Sequence, residues 1–204
     1  MMEALINAGG RGRRMGPCGI EKPMQMVGEK PTIMRVIDAI RSCDKISKVL
    51  VSVSSHTPET KKYLQEHGIE TLETSGEGFV DDLHEAFRVM NSKFVLVSPS
   101  DLPLLKSRTI KGFLKFFDEE TMESAMAIVD EDMARSVGIM PSYAMEKDDG
   151  SWVLSGLSIM DRVKTLDGTY LKEELFKTHW ADLAVNVNTQ YELDIARKMF
   201  TQLP

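Results

Sequence analysis

EALINAGGRGRRMG, Glu3 to Gly16, is an apolar run that breaks into three glycines and three arginines within six residues. Residues 3–8 read as a short strand. The glycines that follow let the backbone turn sharply, come close to a ligand and aim its N–H groups at phosphate oxygens. In open α/β sheets ligands bind beyond the carboxyl ends of the strands, and this loop sits at that edge. Two phosphate motifs do not fit. No Lys-Ser/Thr pair follows the glycines, as Walker A requires, and Met15 stands where the dinucleotide fingerprint starting at Gly10 needs its last glycine. What remains is A-G-G-x-G-x-R-M-G, Ala8 to Gly16, with Glu21-Lys22-Pro23 close behind. Ala8, Gly9, Gly10 and Gly12 suit a backbone cradle for a nucleoside triphosphate. Arg14 suits charge building on a leaving pyrophosphate, and Lys22 suits a point charge near the α-phosphate. The alternative is a glycine-rich turn with solvated arginines.

Outward from this loop, strands and helices alternate. Ile33, Val36, Ile37 and Ile40 fall at helical spacing in 31–43. KVLVSVS (48–54) is a strand. TPETKKYLQEHG (57–68) is a helix with Thr57 as N-cap and Pro58 in its first turn. A short strand at 69–74 precedes a helix with Phe79, Leu83, Phe87 and Met90 on one side. KFVLVS (93–98) reads as a strand buried on both faces. A further helix carries Ile110, Phe113, Leu114 and Phe117 in phase. Residues 1–118 thus read βαβαβαβα, which implies a parallel sheet with helices on both faces. The pattern then changes. Strands are expected at 124–130, 136–141, 151–161 (interrupted by Gly156) and 183–189, with a turn at 147–150. KEELFKT (172–178) reads as a short helix and QYELDIARKMF (190–200) as a closing one. The whole reads as one α/β domain with mixed or antiparallel strands added in the second half.

The bulk numbers narrow the function. The chain has 204 residues, 42% hydrophobic and 27% charged, with a net charge of −6 and a pI of about 5.3. An acidic chain argues against a general nucleic-acid or anionic-membrane binder, so an anion site must be a local concentration of cations. Cys18 and Cys43 are far apart, no Cys/His cluster has zinc spacing, and the opening apolar run is too short for a signal peptide. No stretch approaches the ~18 apolar residues of a membrane span. A cytoplasmic protein is expected. The fourteen methionines scatter along the chain and read as core filler. His56, His67, His84 and His179 read as structural or solvated. Nothing fixes the oligomeric state.

The opening motif with Glu-Lys-Pro resembles the signature of the nucleotidyltransferases related to molybdenum-cofactor guanylyltransferase. EKPMQMVGEKPTIMRVIDAI, SSHTPETKKYL, ETSGEGFVDDLHEAF, FVLVSPSDLPLLKS, SGLSIMD and NVNTQYELDIA together resemble the archaeal GTP:adenosylcobinamide-phosphate guanylyltransferases within that group. The resemblance implies a Rossmann-like nucleotidyltransferase fold, GTP as donor and adenosylcobinamide phosphate as acceptor. It implies that Asp101, at the end of the fourth strand, holds Mg²⁺; the alternative is a cap on the next turn. It implies that Ser75, Gly76 and Gly78 contact guanine or ribose, although they also suit a simple turn. Asp81 and Asp82 fit the dipole of the helix that follows. Ser155 and Gly156 lie on the acceptor side by the same resemblance. Asn186 and Asn188 stand where several relatives place a second metal-binding carboxylate, which leaves Asp101 as the main anchor. Asn188 also suits the N-cap region of the last helix.

The chemistry is consistent with the scarcity of acid–base residues. A phosphate monoester with a second pKa of about 6 is mostly dianionic at neutral pH and can attack an α-phosphorus without a general base. The protein then has to align two anions and offset their repulsion. Molybdopterin, or a sugar or alditol phosphate, is the rival acceptor. A nucleotide-binding regulator without turnover is the rival class.

Overall fold

The computed structural model describes residues 1–16 and 19–202; Cys18 lies outside the described residues, and Cys43 is a buried free thiol. The first half alternates as its periodicity predicts. Strands β1 (Met2–Asn7), β4 (Ile46–Val53), β5 (Glu70–Glu73) and β6 (Phe94–Pro99) are separated by α1 (Thr32–Arg41), α2 (Pro58–Glu66) and α3 (Phe79–Val89), and α4 (Ser107–Phe116) follows. A small antiparallel hairpin, β2 (Met26–Val27) and β3 (Lys30–Pro31), sits between β1 and α1. β1 pairs in parallel with β4 and β6, and β4 with β5.

Each central strand feeds two cores by strict alternation. Ala4 and Ile6 of β1, Val49, Val51 and Val53 of β4, and Phe94 and Leu96 of β6 join the larger core with α1, α2 and α4. Leu5, Leu50, Val95 and Val97 face the other way, onto Leu83, Ala86 and Phe87 of α3. The helical faces read from spacing are buried: Ile33, Val36, Ile37 and Ile40 are fully covered, as are Ile110 and Phe113. Phe79 departs from its expected face and is 58% exposed. It opens α3, one turn ahead of Leu83, the first residue of that helix to reach the sheet.

The second half extends the sheet past β6. β7 (Ser124–Asp130), β8 (Met145–Lys147), β9 (Gly150–Asp161) and β10 (Glu173–Thr178) are joined by α5 (Glu131–Ser136) and α6 (Arg162–Leu166), and α7 (Gln190–Gln202) closes the described chain. The order is β10-β7-β9-β6-β1-β4-β5, with β8 beside β9. β9 runs antiparallel to β6 and β7, and the remaining pairings on that path are parallel. The mostly parallel α/β sheet with antiparallel pairing in its second half is thus the expected class.

Three local expectations fail here. KEELFKT is the edge strand β10, not a helix. Its Glu/Lys content suits a helix, but Phe176 packs on Phe113 and Phe116 and the backbone pairs with β7; edge strands carry charge readily. Residues 136–141 form no strand. The Asp130 side chain accepts the Met133 N–H and starts α5 instead, and the chain turns at Gly138, whose φ is +90°. Residues 183–189 alternate like a strand, with Val185 and Val187 buried, but form no ladder: a 3-10 turn covers Ala181–Leu183, and the Val187 N–H donates to the Asp101 carbonyl. A loop crossing the sheet's end can bury alternate residues without a partner strand.

Candidate active site

The glycine loop leaves β1 at the carboxyl edge of the sheet. The Ala8 N–H donates to the Ser52 carbonyl, which extends the β1–β4 pairing by one step. Gly9 then passes so close to Ser54 that a Cβ there would lie 3.2 Å from the Ser54 Cβ, and the Ser54 hydroxyl donates to the Gly9 carbonyl at 2.7 Å. Gly12 has φ +58° and would place a Cβ 3.2 Å from that of Lys22. These two glycines are therefore set by protein packing. Gly10 faces open space. Met15, which spoils the dinucleotide fingerprint, is buried in the larger core and anchors the loop.

Glu21-Lys22-Pro23 is a built turn whose residues work in different directions. The Glu21 carboxylate accepts the Glu59 and Thr60 N–H groups, each at 2.8 Å, and the Thr60 hydroxyl. Glu21 thus caps α2 from a distant point in the chain, while Thr57, expected to do so, exchanges its hydroxyl bonds with Ser54. Pro23 presents its carbonyl to the Thr32 hydroxyl. Between them Lys22 reaches the end of β6, where its Nζ lies 2.5 Å from Asp101 Oδ2 and 2.9 Å from Asn188 Oδ1. The Lys22 and Asp101 side chains are only 19% and 10% exposed.

Asp101 and Asn188 tie the two halves of the chain together. Asn186 Nδ2 donates to Asp101 Oδ1 at 3.2 Å and to the Ser155 carbonyl at 3.1 Å. Arg14 donates to Asn188 Oδ1 at 2.9 Å. Asn188 is held by the start of α7: its N–H and that of Thr189 donate to Glu192, and the Glu192 N–H donates back to the Thr189 hydroxyl, a reciprocal cap. The side chain of Asn188 therefore serves the cluster, and its backbone serves the helix. Arg14, Lys22, Asp101, Asn186 and Asn188, chosen from separate stretches of sequence, form one connected group.

The electrostatics are uneven. Lys22 is matched by Asp101. Among the described residues no carboxylate pairs with Arg13 or Arg14, so that end of the loop keeps its positive charge on a chain of net charge −6. A cavity of about 260 Å³ lies there, lined by Gly10, Gly12, Arg13, Arg14, Lys22 and Asn188. A smaller one of about 100 Å³ is lined by Asn7, Ala8, Gly10, Gly12, Lys22 and Asp101, among others. Sequence reasoning missed Asn7. Its Oδ1 accepts from the Ser52 hydroxyl, but its Nδ2 is buried with no partner. Leaving such a donor unpaired costs about 1–3 kcal/mol, a cost that an anion in the adjoining cavity would offset.

Ser75, Gly76 and Gly78 lie on the loop between β5 and α3. Gly76 has φ +69°, and a Cβ there would strike Ser54 at 2.7 Å. Ser54 is thus packed between the two glycine loops and fixes their separation. Asp82 accepts the Gly76 N–H at 2.8 Å and the Ser75 hydroxyl at 3.3 Å, and Glu85 accepts the Ser75 N–H. Asp82 therefore braces this loop as well as opening α3. Gly78 is extended, at φ −176°. Arg11 links the loops at the surface, donating to His56 and pairing with Glu77. His56, read from sequence as structural or solvated, belongs to this contact.

Ser155 and Gly156 form a bulge in β9, where the register against β7 shifts. Ser155 is fully buried, and its hydroxyl donates to the Ala127 carbonyl and accepts the Leu157 N–H. Gly156, at φ +81°, lies against Pro99. Ser155 therefore meets the cluster through its carbonyl, not its hydroxyl. Among the described residues no group of three His, Cys, Asp or Glu could hold a metal ion. The hard oxygen donors here are the Asp101 carboxylate and Asn188 Oδ1, which accept from Lys22, Asn186 and Arg14. That set suits an ion held by one or two carboxylates together with substrate phosphates and waters.

A local concentration of cations beside one buried carboxylate suits the gathering of a polyanion and the steadying of charge by position. That is the work of a nucleotidyltransferase. Residues 4–183 match the model of the MobA-like NTP transferase domain, and the chain belongs to that family. It is 29% identical to adenosylcobinamide-phosphate guanylyltransferase of Methanocaldococcus jannaschii, over 97% of each chain. It is 25% identical to a probable molybdenum cofactor guanylyltransferase of Pyrococcus horikoshii, over 94% of this chain and 97% of that one. Among solved structures, CMP:2-keto-3-deoxy-manno-octonic acid synthetase complexed with CTP superposes with a TM-score of 0.74 at 14% identity, covering 98% of each chain. That likeness concerns the fold. No helix among the described residues is long and apolar enough to cross a membrane.

Proposed function

We propose that this enzyme transfers GMP from GTP to adenosylcobinamide phosphate, releasing pyrophosphate and forming adenosylcobinamide-GDP, in the cytoplasm. The observation that carries the proposal is the joined group Arg14–Asn188–Lys22–Asp101, which sets unmatched positive charge beside a single buried carboxylate. The full-length match to the Methanocaldococcus jannaschii enzyme supports the acceptor. In this reading the loop amides and the Asn7 donor receive the triphosphate. Arg14 offsets charge on the departing pyrophosphate, and Lys22 steadies the α-phosphate. Asp101 would hold Mg²⁺ together with phosphate oxygens, and the ion, when bound, would supply Lewis-acid charge. The acceptor phosphate, already dianionic, attacks in line, the new P–O bond forming as the bond to pyrophosphate breaks. With the Ser75 and Gly76 amides committed to Glu85 and Asp82, the second glycine loop would offer a base its carbonyls, which match the amino and imino donors of guanine.

The test is product identity. The purified protein is incubated with adenosylcobinamide phosphate and each of GTP, ATP, CTP and UTP, and the products are weighed by mass spectrometry. Adenosylcobinamide-GDP formed from GTP in preference to the other three is expected. Its absence, with molybdopterin guanylylated under the same conditions, would replace the acceptor and keep the class.

A further inference from the structure

The groove that opens from Asp101 toward the second half of the chain holds about 560 Å³. Its lining divides by chemistry. Arg14, Asp101, Asn186 and Asn188 are the polar cluster already described, whereas Met140, Tyr143 and Leu154 are apolar and open to solvent, 68%, 66% and 41% exposed. Apolar residues left exposed together beside a polar site mark a contact surface.

Their display is built. After α5 the Ile139 N–H donates to the Ala134 carbonyl and its side chain is buried. The Tyr191 hydroxyl of α7 donates to the Gly138 carbonyl at 3.1 Å. Beyond the exposed residues the chain is fixed again at β8, where Met145 pairs with Trp152. Residues 140–144 are thus held at both ends, and Leu154 belongs to β9 two residues from Trp152. Nothing in the polar cluster needs these three side chains. A small sugar phosphate would engage the cluster alone and meet the apolar residues with hydroxyls.

Resting on the transferase reading above, we propose that Met140, Tyr143 and Leu154 form the bed for a face of the acceptor's ring system, a broad body carrying a phosphate monoester, and that they set the enzyme's preference for such acceptors over small sugar phosphates. Continuity with Arg14 and Asp101 fixes the occupant: the end of the acceptor that reacts must reach the cluster, so its body lies along this groove. An aromatic ring at Tyr143 gives a flat face for a flat ligand.

The test measures calorimetric binding of adenosylcobinamide phosphate, molybdopterin and a pentitol phosphate to the full chain loaded with a nonhydrolysable GTP analogue. Wild type, Tyr143→Ala and Met140→Ser/Leu154→Ser are compared. All three positions are exposed, and circular dichroism and the affinity for the GTP analogue report whether the fold and the nucleotide side are intact. Expected is a loss of about tenfold or more in adenosylcobinamide phosphate affinity in each variant, the scale of a stripped apolar contact, with pentitol phosphate binding unmoved. Unchanged corrinoid affinity in both variants, equal weakening for pentitol phosphate, or a wild type that binds pentitol phosphate as tightly as the ringed acceptors would overturn the inference. Wild-type binding of molybdopterin alone, weakened by the same substitutions, would keep the apolar bed and overturn the corrinoid acceptor.

Discussion

From β1 to α4, the small β2–β3 hairpin aside, the chain builds one strand and one helix at a time, each central strand shared between two cores and each helix laid on the sheet by its apolar stripe. From β7 onward the elements are placed by pairing with β9 or β7, by side chains that start short helices, and by a loop crossing the sheet's end. The site draws differently on the two regions. The first supplies Arg14, Lys22, Asp101 and the glycine backbone, which suit a nucleotide taken as a polyanion. The second supplies neutral asparagines and an apolar groove, which suit an acceptor. Under the proposed function a regular scaffold would carry the part of the reaction common to nucleotide transfer, and the irregular half the part that distinguishes one acceptor from another.

Substitutions can break this division. Asp101→Ala removes the carboxylate that pairs with Lys22 and joins the halves through Asn186, and should cut kcat/KM by about a thousandfold or more. Circular dichroism should stay native, and GTP-dependent activity that survives would remove Asp101 from the site. Lys22→Ala strands Asp101 without its cation and should cost about a hundredfold in kcat/KM, read with GTP and acceptor varied separately; unchanged kinetics would undo the assignment of the loop. Asn188→Ala leaves Arg14 charged but unoriented and Lys22 held by Asp101 alone. A loss of about tenfold is expected, on the scale of one hydrogen bond to a charged group, and a loss as large as that of Asp101→Ala would show that the second half does chemistry as well as recognition. The smallest effect belongs to the scaffold. Glu21→Ala uncaps α2 and should lower stability by about 1–2 kcal/mol, seen as a shift in thermal midpoint of a few degrees; an unchanged midpoint would reassign the helix start to Thr57.

The same division governs what the sequence made legible. In α1 and α4 the spacing of Ile33, Val36, Ile37 and Ile40, or of Ile110, Phe113 and Leu114, matches the buried faces, because those helices pack on a continuous sheet. The second half resists because its cues are not local. Glu173 to Thr178 favour a helix by composition, yet the free edge of β7 and the rings of Phe113 and Phe116 make them a strand. Val185 and Val187 alternate as a strand would, but the Asp101 carbonyl takes the Val187 N–H. The residues that come together at the cluster were legible in advance, Arg14 and Lys22 from residue type in the opening motif and Asp101 from the resemblance. The site was not readable where the role depends on a distant partner. Ser54 holds two loops apart, Glu21 caps a helix nearly forty residues on, Asn7 leaves one donor unpaired, and Ser155 spends its hydroxyl on a bulge.

Pyrophosphate release from GTP, followed continuously with Mg²⁺ present and adenosylcobinamide phosphate added or withheld, tests the central claim most directly. Release that depends on the acceptor and disappears in Asp101→Ala is the predicted result. Tight GTP binding with no release, whether adenosylcobinamide phosphate, molybdopterin or a sugar phosphate is offered, would contradict it and leave a nucleotide-binding regulator on a transferase scaffold.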